Sequence, residues 1–210
     1  MTDNINNTNT CSAAQHQLNT LQRVDGFMNS IADLDHLLEQ IMRESRRATG
    51  AESCSLALYN PATHDFSFEI VLGDKSPETK QERVRYGEGI IGLVAQTGTP
   101  QNIPDVYADK SFTPRFDQKT GFKTRNLLAV PMSRRSKLIG VIEVLNKASA
   151  EGFSSDDQSL LELLAHQAAI AIENARLYSA SLSKERLASL GEGISGAAHC
   201  IKNIANLISF

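Results

Sequence analysis

Hydrophobic periodicity changes twice along this chain, and the two changes leave few folds open to it. Up to Gly50 the apolar residues recur at helical spacing. From Ser53 to Leu145 they alternate or cluster in short runs between turns, and from Ser154 helical spacing returns. A block of strands bracketed by helices, with mostly hairpin joints, predicts an α+β fold on an antiparallel sheet.

An Asn/Thr-rich start, 1–11, has almost nothing to bury and is expected to be disordered. Leu18, Leu21, Val24, Phe27, Met28 and Ile31 then predict an amphipathic helix across 12–33. Leu34, Leu37, Leu38, Ile41 and Met42 predict a second helix over 34–49, with Gly50 as its stop. Strands are predicted at 53–59 and 64–72 around an Asn60-Pro61 turn, then at 81–86 and near 101–103. A hairpin of 126–132 and 138–145 completes the sheet. A short buried helix from Ile90 ends at Gly98. Residues 105–122 carry Tyr107, Phe112, Phe116 and Phe122 without a regular period, which is long for a structureless joint and predicts a binding lid.

The 210 residues, 41% hydrophobic and 21% charged, allow one substantial domain with helical extensions. A net charge of −3, with no basic cluster interleaved with aromatics, argues against nucleic acid as a partner. Cys11, Cys54 and Cys200 are too few and too scattered for a disulfide framework or a zinc site, so no metal is expected. No apolar run is long enough to span a bilayer and no signal peptide opens the chain, which predicts a cytoplasmic protein without membrane insertion.

Four stretches in series carry a resemblance. Gly87-Glu88-Gly89-Ile90-Ile91-Gly92, Ile103-Pro104-Asp105-Val106-Tyr107, Thr120 to Leu128 and Val141 to Lys147 resemble a GAF domain over 34–178. The resemblance implies a six-stranded antiparallel sheet with the N- and C-terminal helices on one face and a small-molecule pocket on the other. It puts Ile90, Asp105, Tyr107, Phe112 and Phe116 at that pocket, with Asp105 accepting from a base or sugar hydroxyl and the aromatics stacking on a planar ligand. Cys54, on the first strand, is read as core. The middle of the chain is most similar to GAF domains of cyclic-nucleotide phosphodiesterases. Asn146, Lys147, Phe153 and Asp157 match those domains' Asn-Lys, Phe and Asp, while Gln158 departs from their final Glu. These four are expected to latch the last strand to the start of the long helix, where Ser154 and Asp157 also form a capping-box pattern.

The last segment, 179–210, has its own pattern. Leu187, Ile194, Ile201 and Ile208, with Leu190, Ala197 and Ile204, form a heptad seam. It is out of register with an earlier repeat of Leu161, Ala168, Ala175 and Leu182, so a joint lies near 182–187. Leu190, Gly191, Ala198, His199, Ile201, Lys202 and Asn203 resemble the phosphoacceptor helix of sensor histidine kinases. That resemblance makes His199 the phosphoacceptor and Asn203, four residues on, its assistant. Cys200 stands where that family has an acid and Ile204 where it has proline. The pattern runs to Phe210 without a stop signal, which predicts a longer parent protein. No Walker A pattern occurs, so the chain as given should not phosphorylate itself.

Together these features predict a small-molecule-sensing GAF domain that regulates a histidine kinase through a dimeric C-terminal signalling helix. The expected partners are a small effector, a second copy of the chain through the terminal helices, an ATP-binding kinase domain and a response regulator. A second reading is a regulatory module of a second-messenger enzyme that binds cGMP, cAMP or another small planar ligand. A third is a dimerisation scaffold whose pocket its own side chains fill.

Overall fold

The computed structural model describes residues 34–73, 79, 82–149, 152–178 and 180. The predicted helix over 12–33, the joint near 182–187 and the segment with His199 and Asn203 lie outside them. The chain divides into two compact units, 1–171 and 172–210. The described residues of the second, 172–178 and 180, are helical.

Helix α1, Leu34–Thr49, buries Leu37, Leu38, Ile41 and Met42 on one face. Its last turns tie back on themselves, Ser45 Oγ donating to Ile41 O at 2.8 Å and Thr49 Oγ1 to Ser45 O at 2.7 Å. The chain then enters the sheet: β1 Ala51–Asn60, β2 Asp65–Leu72, β3 Arg83–Arg85, β4 Gln101–Ile103, β5 Leu127–Arg134 and β6 Lys137–Lys147. The six strands lie in the order β3-β2-β1-β6-β5-β4, every pair antiparallel. Helix α2, Gly89–Thr97, joins β3 to β4 and stops at Gly98 in the left-handed region. Gly92 in its first turns is dictated by space: a Cβ there would stand 2.4 Å from the Gly87 carbonyl carbon.

Strand alternation sorts the sheet into two faces. Cys54 and Leu56 of β1 face α1, and the Cys54 thiol donates to Met42 O at 3.3 Å. Burial pushes that thiol up to about 12, so Cys54 is an inert core residue. Ser53, Ser55 and Ala57 point to the opposite face. On that face Ala57, Phe66, Phe68, Val71, Val84, Val141, Leu127 and Ala129 pack with Ile90, Ile91 and Val94 of α2 into one core. Phe68 and Val71 reach the same side because the β1–β2 register slips between Leu56 and Ala57.

Residues 105–122 are more ordered than an aperiodic lid. A 3-10 turn, Val106–Ala108, and a helix α3, Arg115–Thr120, occupy half of the segment. Both are too short for helical periodicity to register in the sequence. The last helix, α4, runs over 155–178. Leu161, Leu164, Ala165 and Ala168 have no solvent exposure, so this part of the seven-residue repeat is the helix's face onto its own domain's core.

Candidate ligand-binding site

A partly open cavity of about 110 Å³ lies on the α2 side of the sheet. Its sheet wall is a block of register neighbours: Ser55 of β1 opposite Glu143 of β6, and Ser53 opposite Leu145, with Leu127 of β5 beyond. Phe68, Val71 and Val84 close one side, and Glu88 to Ile91 at the start of α2 close another. Phe112, Phe116, Asp117 and Thr120 cover it, and Phe116 meets Phe68 edge-on at 5.7 Å. The wall is thus mostly apolar and aromatic with a few polar groups, the make-up of a small-molecule site.

The polar groups differ in how well they are partnered. Asp117 is 9% exposed and accepts from Thr124 N at 2.7 Å, Thr124 Oγ1 at 2.7 Å and Tyr107 Oη at 2.8 Å. Glu88 takes the Arg115 guanidinium at 3.0 Å and the Arg85 amide at 3.0 Å. Glu143, 8% exposed, receives one hydroxyl, Ser55 Oγ at 3.1 Å. Burial raises its pKa to about 7, and the Ser55 hydrogen bond only partly opposes that. Among the described residues no Lys, Arg or His lines the cavity. Glu143 was not anticipated from the sequence, though its signal is there: one charge inside the apolar run of β6.

Of the residues assigned to the pocket by resemblance, Ile90, Phe112 and Phe116 line the cavity. Asp105 and Tyr107 do not. Asp105 caps the 3-10 turn, its carboxylate accepting from Tyr107 N at 3.1 Å. The Tyr107 ring is 55% exposed and stacks edge-on with Phe112 at 5.3 Å. Its hydroxyl donates to Asp117, and that bond raises the phenol's pKa. Both residues therefore support the cover from outside.

Arg115 joins three elements at the rim. It donates to Arg83 O of β3 at 2.7 Å, pairs with Glu88 before α2, and lies 4.9 Å over the Phe116 ring. Glu82 pairs with Lys119 and approaches Arg115 at 3.9 Å. The roof helix is thus tied to the far side of the cavity by charge.

The expected latch lies at the end of β6. Lys147 Nζ pairs with Asp157 Oδ2, which also accepts from Ser154 N at 2.7 Å and Ser154 Oγ at 2.9 Å. Asp157 N in turn bonds Ser154 Oγ at 3.2 Å, so latch and capping box are one structure. Asn146 sits at φ 60°, a conformation Asn tolerates better than most residues. Phe153 is buried, and its carbonyl accepts from Asn102 Nδ2 at 2.9 Å. Among the described residues no group of three or more His, Cys, Asp or Glu could hold a metal ion, and no helix is long and apolar enough to cross a membrane.

Residues 33–172 match the sequence profile of the GAF domain. The chain is 41% identical over 171 residues to the dual 3′,5′-cyclic-AMP and -GMP phosphodiesterase 11A of Takifugu rubripes, covering 77% of this chain and 19% of that protein. It is 30% identical over 161 residues to a probable 3′,5′-cyclic phosphodiesterase of Caenorhabditis elegans, covering 72% of this chain and 22% of the other. The chain thus spans less than a quarter of the length of these relatives. Among solved structures, the GAF domain of a phosphoenolpyruvate-protein phosphotransferase from Coxiella burnetii superposes with a TM-score of 0.72 at 23% identity, over 80% of this chain and 98% of that one. A free methionine-R-sulfoxide reductase from Neisseria meningitidis gives a TM-score of 0.66 at 18% identity, over 80% and 93%. These two likenesses concern the fold alone.

Proposed function

The chain belongs to the GAF domain family, and from that premise we propose that it is a sensory domain that binds a cyclic nucleotide and regulates an effector on the same polypeptide. The observation that carries this reading is the cavity, whose apolar and aromatic wall is broken by a few hydrogen-bonding groups. The 41% identity to a cyclic-nucleotide phosphodiesterase supports the ligand class. The parts suit such a ligand. Phe68, Phe112 and Phe116 offer ring faces to a purine, and Glu143 and Ser55 offer hydrogen bonds to its edge. The first-turn amides of α2 form an anion-binding set for the cyclic phosphate, with Arg115 neutralising Glu88 beside them.

At about 110 Å³ the cavity is smaller than the roughly 300–1,000 Å³ of most ligand sites. Nucleotide entry therefore requires Phe112 and α3 to move outward. Even so, that unfilled volume counts against a scaffold whose pocket its own side chains fill. Isothermal titration calorimetry with cAMP and cGMP tests the reading. Saturable binding of at least one supports it, and silence from both at millimolar concentration overturns it.

A second reading concerns the output. The His199 motif favours a histidine kinase as the effector, with Asn203 assisting the imidazole. Phosphotransfer from ATP to the full-length parent, lost in His199→Gln, is the expected result. A cyclase or phosphodiesterase domain following this chain would defeat that reading without touching the sensory one.

A further inference from the structure

Of the three carboxyls among the described residues that line the cavity, Glu143 differs from the others in what meets it. Asp117, on α3, has three hydrogen-bond donors, and Glu88, before α2, has a guanidinium and an amide. Glu143 is more than nine-tenths buried on β6 and has the Ser55 hydroxyl from β1. Its register partner on β5 is Ala129, which brings no polar side chain. Among the described residues, the titratable groups that share the cavity with it are Asp117 and Glu88, both acidic, and none of the lining residues is basic. An ionised carboxylate there lacks the donors that a desolvated charge needs. A neutral carboxylic acid fits the surroundings, and a ligand that brings a donor changes that balance.

We propose that ligand binding in this cavity is coupled to proton release at Glu143: an N–H of the ligand hydrogen-bonds the ionised carboxylate, and the carboxyl proton leaves to buffer. The inference rests on the nucleotide reading above and adds the chemistry of the ligand's buried edge, which must be a hydrogen-bond donor. The proton balance is simple. Protonated Glu143 plus ligand gives carboxylate-bound ligand plus one solvated proton, and the ligand keeps its own N–H. Burial, which pushes Glu143 to about 7, places the coupling in the neutral range. With carboxylate required for binding, the fraction competent falls about tenfold from pH 8 to pH 6, and the Kd rises in proportion.

The test is the Kd of the whole protein for cGMP, with cAMP in parallel, measured from pH 6 to pH 8. Neither probe titrates in that interval. Calorimetry in two buffers of different ionisation enthalpy counts the protons released. The expected result is about tenfold tighter binding at pH 8, with about half a proton released per ligand at pH 7. Glu143→Gln, close in shape and able to keep the Ser55 bond but unable to ionise, should bind weakly with a flat pH profile, no tighter than the natural protein at pH 6. Affinity that is unchanged across the interval, or tighter at pH 6, overturns proton release and leaves the nucleotide reading standing. Absence of binding by both probes at pH 8 overturns the two together. The Glu143 carboxyl resonance of the unliganded protein gives an independent check: titration in the ordinary carboxylate range also defeats the inference.

Discussion

Glu143 and Asn146 lie three residues apart on β6 and meet opposite treatment. The Asn146 side chain is saturated: its Oδ1 accepts from Arg125 N at 2.7 Å, and its Nδ2 donates to Lys123 O at 2.9 Å and Glu52 Oε2 at 3.1 Å. Beyond it, Lys147 and Asp157 complete each other. Glu143 has one neutral donor and a desolvated carboxyl. The saturated end converts polar groups into fold stability. The cavity end holds a group whose burial is under-compensated, a strain that a ligand with the right donor relieves. Such under-partnered groups are where function is to be sought.

The comparison breaks most readily at the latch. Asp157→Ala removes the acceptor for Lys147 Nζ, Ser154 N and Ser154 Oγ at once. The pair is only partly exposed, 22% for Lys147 and 10% for Asp157, so solvent does not replace the loss fully. A destabilisation of about 3 kcal/mol is expected, read as a lower urea midpoint at unchanged slope. A loss below about 1 kcal/mol would make the latch ornamental.

At the cavity the sign reverses. Glu143's folded pKa is raised from 4.5 to about 7, so between those values the folded state holds the proton more tightly than the unfolded one. Stability contributed by the neutral acid is full below pH 4.5 and is lost as pH rises through 7. That loss is at most roughly 3 kcal/mol, and Glu143→Gln avoids it. The amide's own unpaired N–H takes part of it back. Urea melts should show Glu143→Gln about 2 kcal/mol more stable than the natural protein at pH 8 and about 1 kcal/mol less stable than it at pH 4. Equal stabilisation at both values would show that packing, not ionisation, decides the site.

The two regions were unequally legible in the sequence. The latch was readable because Asn146, Lys147, Phe153 and Asp157 are close together and share a family pattern, and the positions of the strands along the chain followed from turns and alternation. The cavity was legible only in part: Ile90, Phe112 and Phe116 line it, while Asp105 and Tyr107 do not. Asp105 and Tyr107 stand out as polar and aromatic residues on an aperiodic stretch, yet they brace the cover from outside, through a cap and a bond to Asp117. Glu143 was hidden because a strand's two faces cannot be assigned until pairing is known. Only the register, Ser55 opposite Glu143, turns that lone charge inward. Asp117 and Thr124 likewise become partners only when α3 folds back.

Within the latch, Asn146 separates two contributions. Asn146→Ala loses three hydrogen bonds and places a Cβ residue at φ 60° without a local polar side chain to support it. About 2 kcal/mol of destabilisation is expected in urea melts. Asn146→Gly removes the same bonds but adopts that backbone without strain, so it should be the milder by about 1 kcal/mol. Equal losses would assign the whole effect to hydrogen bonding.

The smallest global effect belongs to the rim, and there it should be local. Arg115 is 43% exposed and its pairs with Glu88 and Glu82 are accordingly screened, so Arg115→Ala should cost no more than about 1 kcal/mol overall. The same side chain nevertheless fastens α3 to β3 through Arg83 O and covers Phe116. Without it the roof helix is left with the Asp117 bonds and the Lys119–Glu82 pair. Amide exchange across 115–120 should therefore quicken several-fold while the amides of β5 and β6 keep their natural rates. Exchange that quickens evenly over the sheet would mean global destabilisation. Unchanged exchange in α3 would mean that the Asp117 bonds and the Lys119–Glu82 pair suffice to hold the roof. Either result erases the distinction between a permanently fastened latch and a cavity cover that opens separately.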